Sequence, residues 1–165
     1  MALVIEDGTG VAGANSYVNV ADAQAWVAAR GLAFTGADSV IEQRLLMAMD
    51  LIESYRSRFR GSKTLSTNPL QWPRTAAFVD DVELDDDVIP EELRSAQIQL
   101  AYEAQTTTLQ PSGTGREVLE ETVDVITTKY AERGSGIINP NFSKAEAFLR
   151  PLLRSGGTQL STLRI

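Results

Sequence analysis

Three groups of residues have the types and spacing to do chemistry. The first is acidic: Asp80, Asp81, Glu83, Asp85, Asp86, Asp87, Glu91 and Glu92 place eight carboxylates in thirteen residues with no base among them. Such a cluster suggests calcium, but the central glycine and the terminal bidentate glutamate of a calcium loop are missing. The second is basic: Arg56, Arg58, Arg60, Lys63 and Arg74 occur with no acid between Glu53 and Asp80, and Trp72 lies among them. Cations interleaved with an aromatic are the raw material of a single-strand binder. The third is Gly8-x-Gly10-x-x-Gly13, formally a dinucleotide fingerprint. That motif needs a full strand before it, a helix starting on it and an acid about 20 residues on. Here Asn15-Ser16-Tyr17-Val18 intervenes, so the expectation is a surface loop at an N-terminal arm. Glu120 and Glu121 do not make a catalytic dyad, because neighbours on a strand point to opposite faces.

The chain of 165 residues has no histidine and no cysteine. Their absence excludes the usual nucleophile triads, thiol chemistry, disulfides and ordinary zinc ligation. No catalytic residue, metal ligand set or cofactor is expected, and the chain does not read as an enzyme. The net charge of −7 argues against a general nucleic-acid binder. Its distribution says more, since removing the acids of 80–92 leaves the remainder at +1. A basic stretch followed by an acidic one gives a dipolar surface suited to charged partners or to copies of the same chain. Met1–Asp7 has no basic leader, and no stretch approaches the ~18 apolar residues of a spanning helix. A soluble protein made in the cytoplasm, with no membrane partner, is the expectation.

The elements that must position these groups are mostly helical. Asn19 caps a first helix over about 20–30, with Gly31 beyond its end. Ser39 and Glu42 read as a capping box opening a second helix that runs to about Phe59. Its stripe is Ile41, Leu45, Ala48, Met49, Ile52, Tyr55 and Phe59, with Leu46, Met47 and Leu51 off it. It is therefore apolar over more than one face, as in the middle of a bundle or at a subunit contact. Residues 60–88 look irregular, and Trp72, held ahead of Pro73, plugs into the core or a partner. Pro90 opens a third helix with Ile89, Leu93, Ala96, Leu100, Ala101 and Ala104 on its apolar side. Period-two alternation makes a strand or hairpin near 116–131. A last helix starts near Ser143, and Pro151 kinks or restarts it. The sum is mainly α with a small β-hairpin, class α+β. It is a compact bundle of about four helices with extended N- and C-terminal arms. One domain covers 1–157, and 158–165 is a β-competent arm for strand addition to another chain.

Four ordered segments carry a resemblance. They are Glu6–Gly10 with Ala14–Val18, Leu70-Gln71-Trp72-Pro73-Arg74, Asp87–Leu93 with Ala96 and Leu100-Ala101, and Phe148-Leu149-Arg150-Pro151-Leu152-Leu153. Together they resemble the tailed-phage head–tail adaptor (connector) proteins, which are often labelled DnaT-like single-stranded-DNA-binding proteins. The resemblance implies a structural neck protein of the virion at the portal vertex. It would form a ring of about twelve neighbouring subunits that extends the DNA channel and docks a downstream neck, stopper or tail protein. Packaged DNA would pass with weak or no specific binding. The portal-binding arm would map to Leu160, Leu163, Arg164 and Ile165. Subunit or tail-side contacts would use Arg56, Arg58, Arg60, Lys63, Trp72, Arg74, Asp80, Asp81, Asp85, Asp86 and Asp87. The alternative is a DnaT-like single-stranded-DNA-binding protein using Arg56, Arg58, Arg60, Lys63 and Arg74 with Trp72. It is placed second because no aromatic-plus-basic stacking groove is legible in the sequence.

Overall fold

The computed structural model describes residues 2–110, 120–123, 126–129 and 142–154. Helix α1 (Val20–Ala28) is capped by Asn19, whose side-chain oxygen accepts the Asp22 N–H at 2.8 Å. The chain then reverses through Gly31 into α2 (Asp38–Ser54). The expected capping box is not used: Ala37 is the N-cap, and Ser39 already lies inside the first turn. Helix α2 also ends earlier than its apolar stripe, at Tyr55, so Phe59 reaches the core from an extended bridge residue rather than from a helix.

Residues 60–88 are more ordered than their composition suggests. Strands β1 (Ser62–Lys63) and β2 (Arg74–Thr75) pair antiparallel, as do β3 (Phe78–Val79) and β4 (Val82–Glu83). Two-residue strands are too short to show a period. Side chains and turns hold them instead. The Arg74 guanidinium donates to the carbonyls of Arg60 and Gly61, at 2.7 and 2.9 Å. Gly61 has φ +68°, and a Cβ there would stand 2.2 Å from the Thr75 carbonyl oxygen, so only glycine fits. Asp80 and Asp81, with φ of 50° and 64°, form the two-residue loop between β3 and β4. Positive φ at both positions is the hairpin geometry that aspartate tolerates.

Helix α3 (Glu91–Glu103) starts just after Pro90 and is the centre of the bundle, packing on α1, α2 and α4 (Ser143–Leu149). The apolar pattern of α2 suggests the middle of a bundle or a subunit contact, yet α3 takes the middle. The difference is polar: Ser95, Gln97 and Gln99 of α3 are buried beside Leu93, Ala96, Leu100 and Ala101. Helix α4 gives way at Pro151 to a 3₁₀ turn (Arg150–Leu152), as the proline requires. The expected hairpin is present as β5 (Glu120–Val123) paired with β6 (Ile126–Lys129). The architecture is thus mainly helical with small antiparallel strand pairs.

The N-terminal segment is extended, but it is packed rather than free. Ala14, Tyr17 and Val18 join the core, and Ile5 bridges Ser16 in parallel. The glycine loop, expected at the surface, closes around a fully buried carboxylate. Glu6 Oε1 accepts the N–H groups of Gly8 and Gly10, and Oε2 accepts that of Val11, each at 2.9 Å. The loop is an anion-binding nest filled by its own glutamate, which leaves it nothing to offer a phosphate. Gly8 is obligatory, because a Cβ would lie 1.7 Å from the Asp87 carbonyl oxygen.

A polar network ties this segment to the bundle. Gln97 Oε1 accepts the Tyr17 N–H at 3.0 Å, while Nε2 donates to Ser16 Oγ at 2.8 Å and to the Leu45 carbonyl at 3.2 Å. The Tyr17 hydroxyl accepts the Trp72 N–H at 3.1 Å and donates a long bond of 3.5 Å to Glu53 Oε1, which also accepts the Gln71 N–H. Burial pushes the Tyr17 hydroxyl well above its ordinary value, so it stays protonated as a donor.

Replacing Gln97 by leucine strands the Ser16, Tyr17 and Leu45 groups. It should cost about 2–4 kcal/mol in urea unfolding, and a change below about 1 kcal/mol would contradict the network. Glu53 gives a pH signature. Burial, partly opposed by the Gln71 N–H and Lys63, holds its carboxyl above the ordinary 4.5. The folded state then keeps the proton longer than the unfolded chain. This contribution is full below the ordinary value and is lost as pH rises through the folded one. The gap in melting temperature between Glu53→Gln and the parent protein should shift in favour of the variant from pH 4 to pH 7, whereas parallel curves would show that burial is not acting on Glu53.

Candidate nucleic-acid interface

Beyond α2 the chain turns at Tyr55 and runs antiparallel to the segment after α4. Phe59 bridges Leu153, the Arg60 N–H donates to the Leu152 carbonyl at 2.9 Å, and the Arg154 N–H donates to the Arg58 carbonyl at 2.7 Å. Extended residues alternate sides. Phe59 therefore points inward, fully buried with its ring edge-on to Trp72 at 6.0 Å, while its neighbours Arg58 and Arg60 are left on the outside.

The result is a cleft of about 520 Å³ lined by Tyr55, Arg58, Arg60, Glu146, Leu149, Arg150, Leu153 and Arg154. Four arginines and one glutamate are among its lining residues. The Arg58 guanidinium lies over the Tyr55 ring, 5.3 Å from its centre. Arg60 is braced by bonds from Nε to the Leu153 carbonyl and from Nη1 to the Phe78 carbonyl, at 3.1 and 3.2 Å. Arg154 makes a longer contact of 3.4 Å to the Gly61 carbonyl. Carbonyl partners orient these cations without cancelling their charge. Tyr55 is half-buried, and burial pushes its hydroxyl up, helped by Glu146 and opposed by Arg58. It is a neutral aromatic wall beside a concentration of positive charge.

The expected site residues separate into groups. Arg58 and Arg60 line the cleft, and Arg56 is exposed in the same turn. Lys63 donates to the Asn68 carbonyl. Arg74 is buried beneath the cleft, and burial, then the nearby Arg154, holds its guanidinium below the ordinary value. Trp72 is fully buried in the core against Phe59, so its ring is not part of the cleft surface. The aromatic residue that lines the cleft is Tyr55. Asp80 and Asp81 form the hairpin loop. Asp85, Asp86 and Asp87 are exposed, with the Asp86 carbonyl accepting from Thr64 Oγ1 at 3.0 Å. Leu160, Leu163, Arg164 and Ile165 lie outside the described residues. Arg150 and Arg154, four positions apart, were missed as site residues. Only the pairing of 58–60 with 152–154 makes them neighbours of Arg58 and Arg60. Among the described residues no acidic group is arranged to hold a metal ion, and no helix is long and apolar enough to cross a membrane.

A family model described as "Putative DnaT-like ssDNA binding protein" matches residues 1–165. The chain belongs to this DnaT-like family. The match corrects the head–tail adaptor reading, because the family is described by single-stranded DNA and not by a place at a portal. The ring, portal and neck partners rest on that earlier resemblance alone. Searches of the curated proteins and of the solved structures find no match.

The burial contrast is testable. Trp72→Ala should cost about 3–5 kcal/mol, whereas Arg150→Ala, at an exposed position, should stay within about 0.5 kcal/mol. Equal effects in thermal unfolding would contradict the division between core and cleft.

Proposed function

We propose that the chain is a single-stranded-DNA-binding module whose interface is the arginine cleft. The observation that carries the reading is the convergence of Arg58, Arg60, Arg150 and Arg154 beside Tyr55. The description of the family supports it independently. Single-strand binders combine cations that track the backbone with aromatic rings on which bases stack, each stacked base contributing about 1–3 kcal/mol. The cleft supplies both within one concavity. Its guanidinium groups repel one another, and an anion drawn between them relieves that repulsion. Binding of this kind needs no catalytic residue, metal or cofactor.

The net charge of −7 sets the character of the interaction. Long-range attraction to DNA is weak, so affinity comes from a short local footprint. Screening acts over about 10 Å at 0.1 M salt, and the hairpin that carries Asp80, Asp81 and Glu83 borders the cleft through the Arg60 bond to the Phe78 carbonyl, so these acids temper its attraction for phosphate.

Fluorescence anisotropy with a labelled single strand should show binding at low salt. The slope of log K against log salt should be about −2 to −3, as expected for up to four phosphate contacts on a single strand. Arg58→Ala and Arg150→Ala should each weaken binding and reduce the slope by about 0.7. Absence of binding at low salt, or slopes unchanged in both variants, would contradict the reading.

A further inference from the structure

Glu146 is the one acidic residue in the lining of the cleft, where a pure phosphate cradle would have none. It is exposed on α4 and lines the cleft with the four arginines. One helical turn separates it from Arg150. A carboxylate there repels the backbone phosphates that the arginines attract. It shares the cleft lining with Tyr55.

An ionised carboxylate only accepts hydrogen bonds. A base stacked on Tyr55 would bring its edge to the same cleft, and the donors on that edge differ among bases. Cytosine carries N4–H₂ and adenine N6–H₂, whereas thymine shows O4 and a methyl group at the corresponding positions. Acidic side chains are natural acceptors for the cytosine amine. We propose that Glu146 is the base-selecting residue of this interface. It accepts from the exocyclic amine of a base stacked at Tyr55, favouring cytosine, then adenine, over thymine. The proposal rests on the reading of the cleft as a single-strand interface. In it, the arginines supply sequence-independent affinity and Glu146 exchanges part of that affinity for selectivity.

The test is anisotropy at low salt with homopolymers of deoxycytidine, deoxyadenosine and thymidine of equal short length. The protein should bind the cytosine strand at least about fivefold more tightly than the thymine strand, the lower end of what one base-edge contact supplies. Glu146→Gln removes the repulsion and adds an amide donor that thymine O4 can accept. It should raise affinity for the thymine strand most and collapse the preference to below about twofold. Equal binding of all three strands by the parent protein, or a preference that survives in Glu146→Gln, overturns the role of Glu146 while leaving the single-strand interface standing. Binding to none of the three overturns both.

Discussion

Gln97 sits fully buried in the middle of α3 with both ends of its amide engaged, and the positions of the other segments follow from that. A buried amide costs stability unless its hydrogen-bonding groups find partners. Here the partners come from two remote segments, the Leu45 turn of α2 and the Ser16-Tyr17 stretch. The N-terminal segment is thereby fastened to the bundle. Tyr17, placed by this contact, extends the network through its hydroxyl to Trp72 and Glu53. A fully satisfied polar network of this kind specifies one packing arrangement over others that would bury the same apolar area.

The cleft inherits its geometry from that network. Trp72, held through its backbone N–H, presents its ring to Phe59, and Phe59 faces inward. With Phe59 inside, Arg58 and Arg60 are left outside. The antiparallel contact of this stretch with Leu152–Arg154 then brings Arg150 and Arg154 to the same place. Arg74 supports the arrangement from below by binding the Arg60 and Gly61 carbonyls. A positively charged concavity arises on a chain with a net charge of −7 because the acids are concentrated in 80–92.

What was legible in the sequence was local. Asn19 announced the start of α1, the Ile41–Ile52 stripe announced α2, Pro90 with Glu91 and Glu92 announced α3, and Pro151 announced the end of α4. Arg58 and Arg60 could be named as candidates from charge alone. The strand pairs of 60–88 were hidden because they are two residues long and depend on one arginine side chain and on positive-φ turns. Glu6 gave no local sign that the glycine loop would fold around it. Trp72, expected to pack into the core or a partner, is placed in the core by its full burial. Arg150 and Arg154 could not be joined to Arg58 and Arg60 by any periodicity, since the contact crosses most of the chain. The adaptor resemblance rested on the order of short segments, and the family match across 1–165 replaced it.

The central claim is that Tyr55, Arg58, Arg60, Arg150 and Arg154 together form the surface that meets a single strand. The most direct measurement is a nitrogen-15 NMR titration of the full chain with a short unlabelled single-stranded oligonucleotide. The account predicts saturable amide shifts clustered at 55–60 and 146–154, with smaller ones in the adjoining 78–83 hairpin and little change at 85–92. Shifts centred on 80–92 or spread over the core helices, or none at saturating strand, would contradict it.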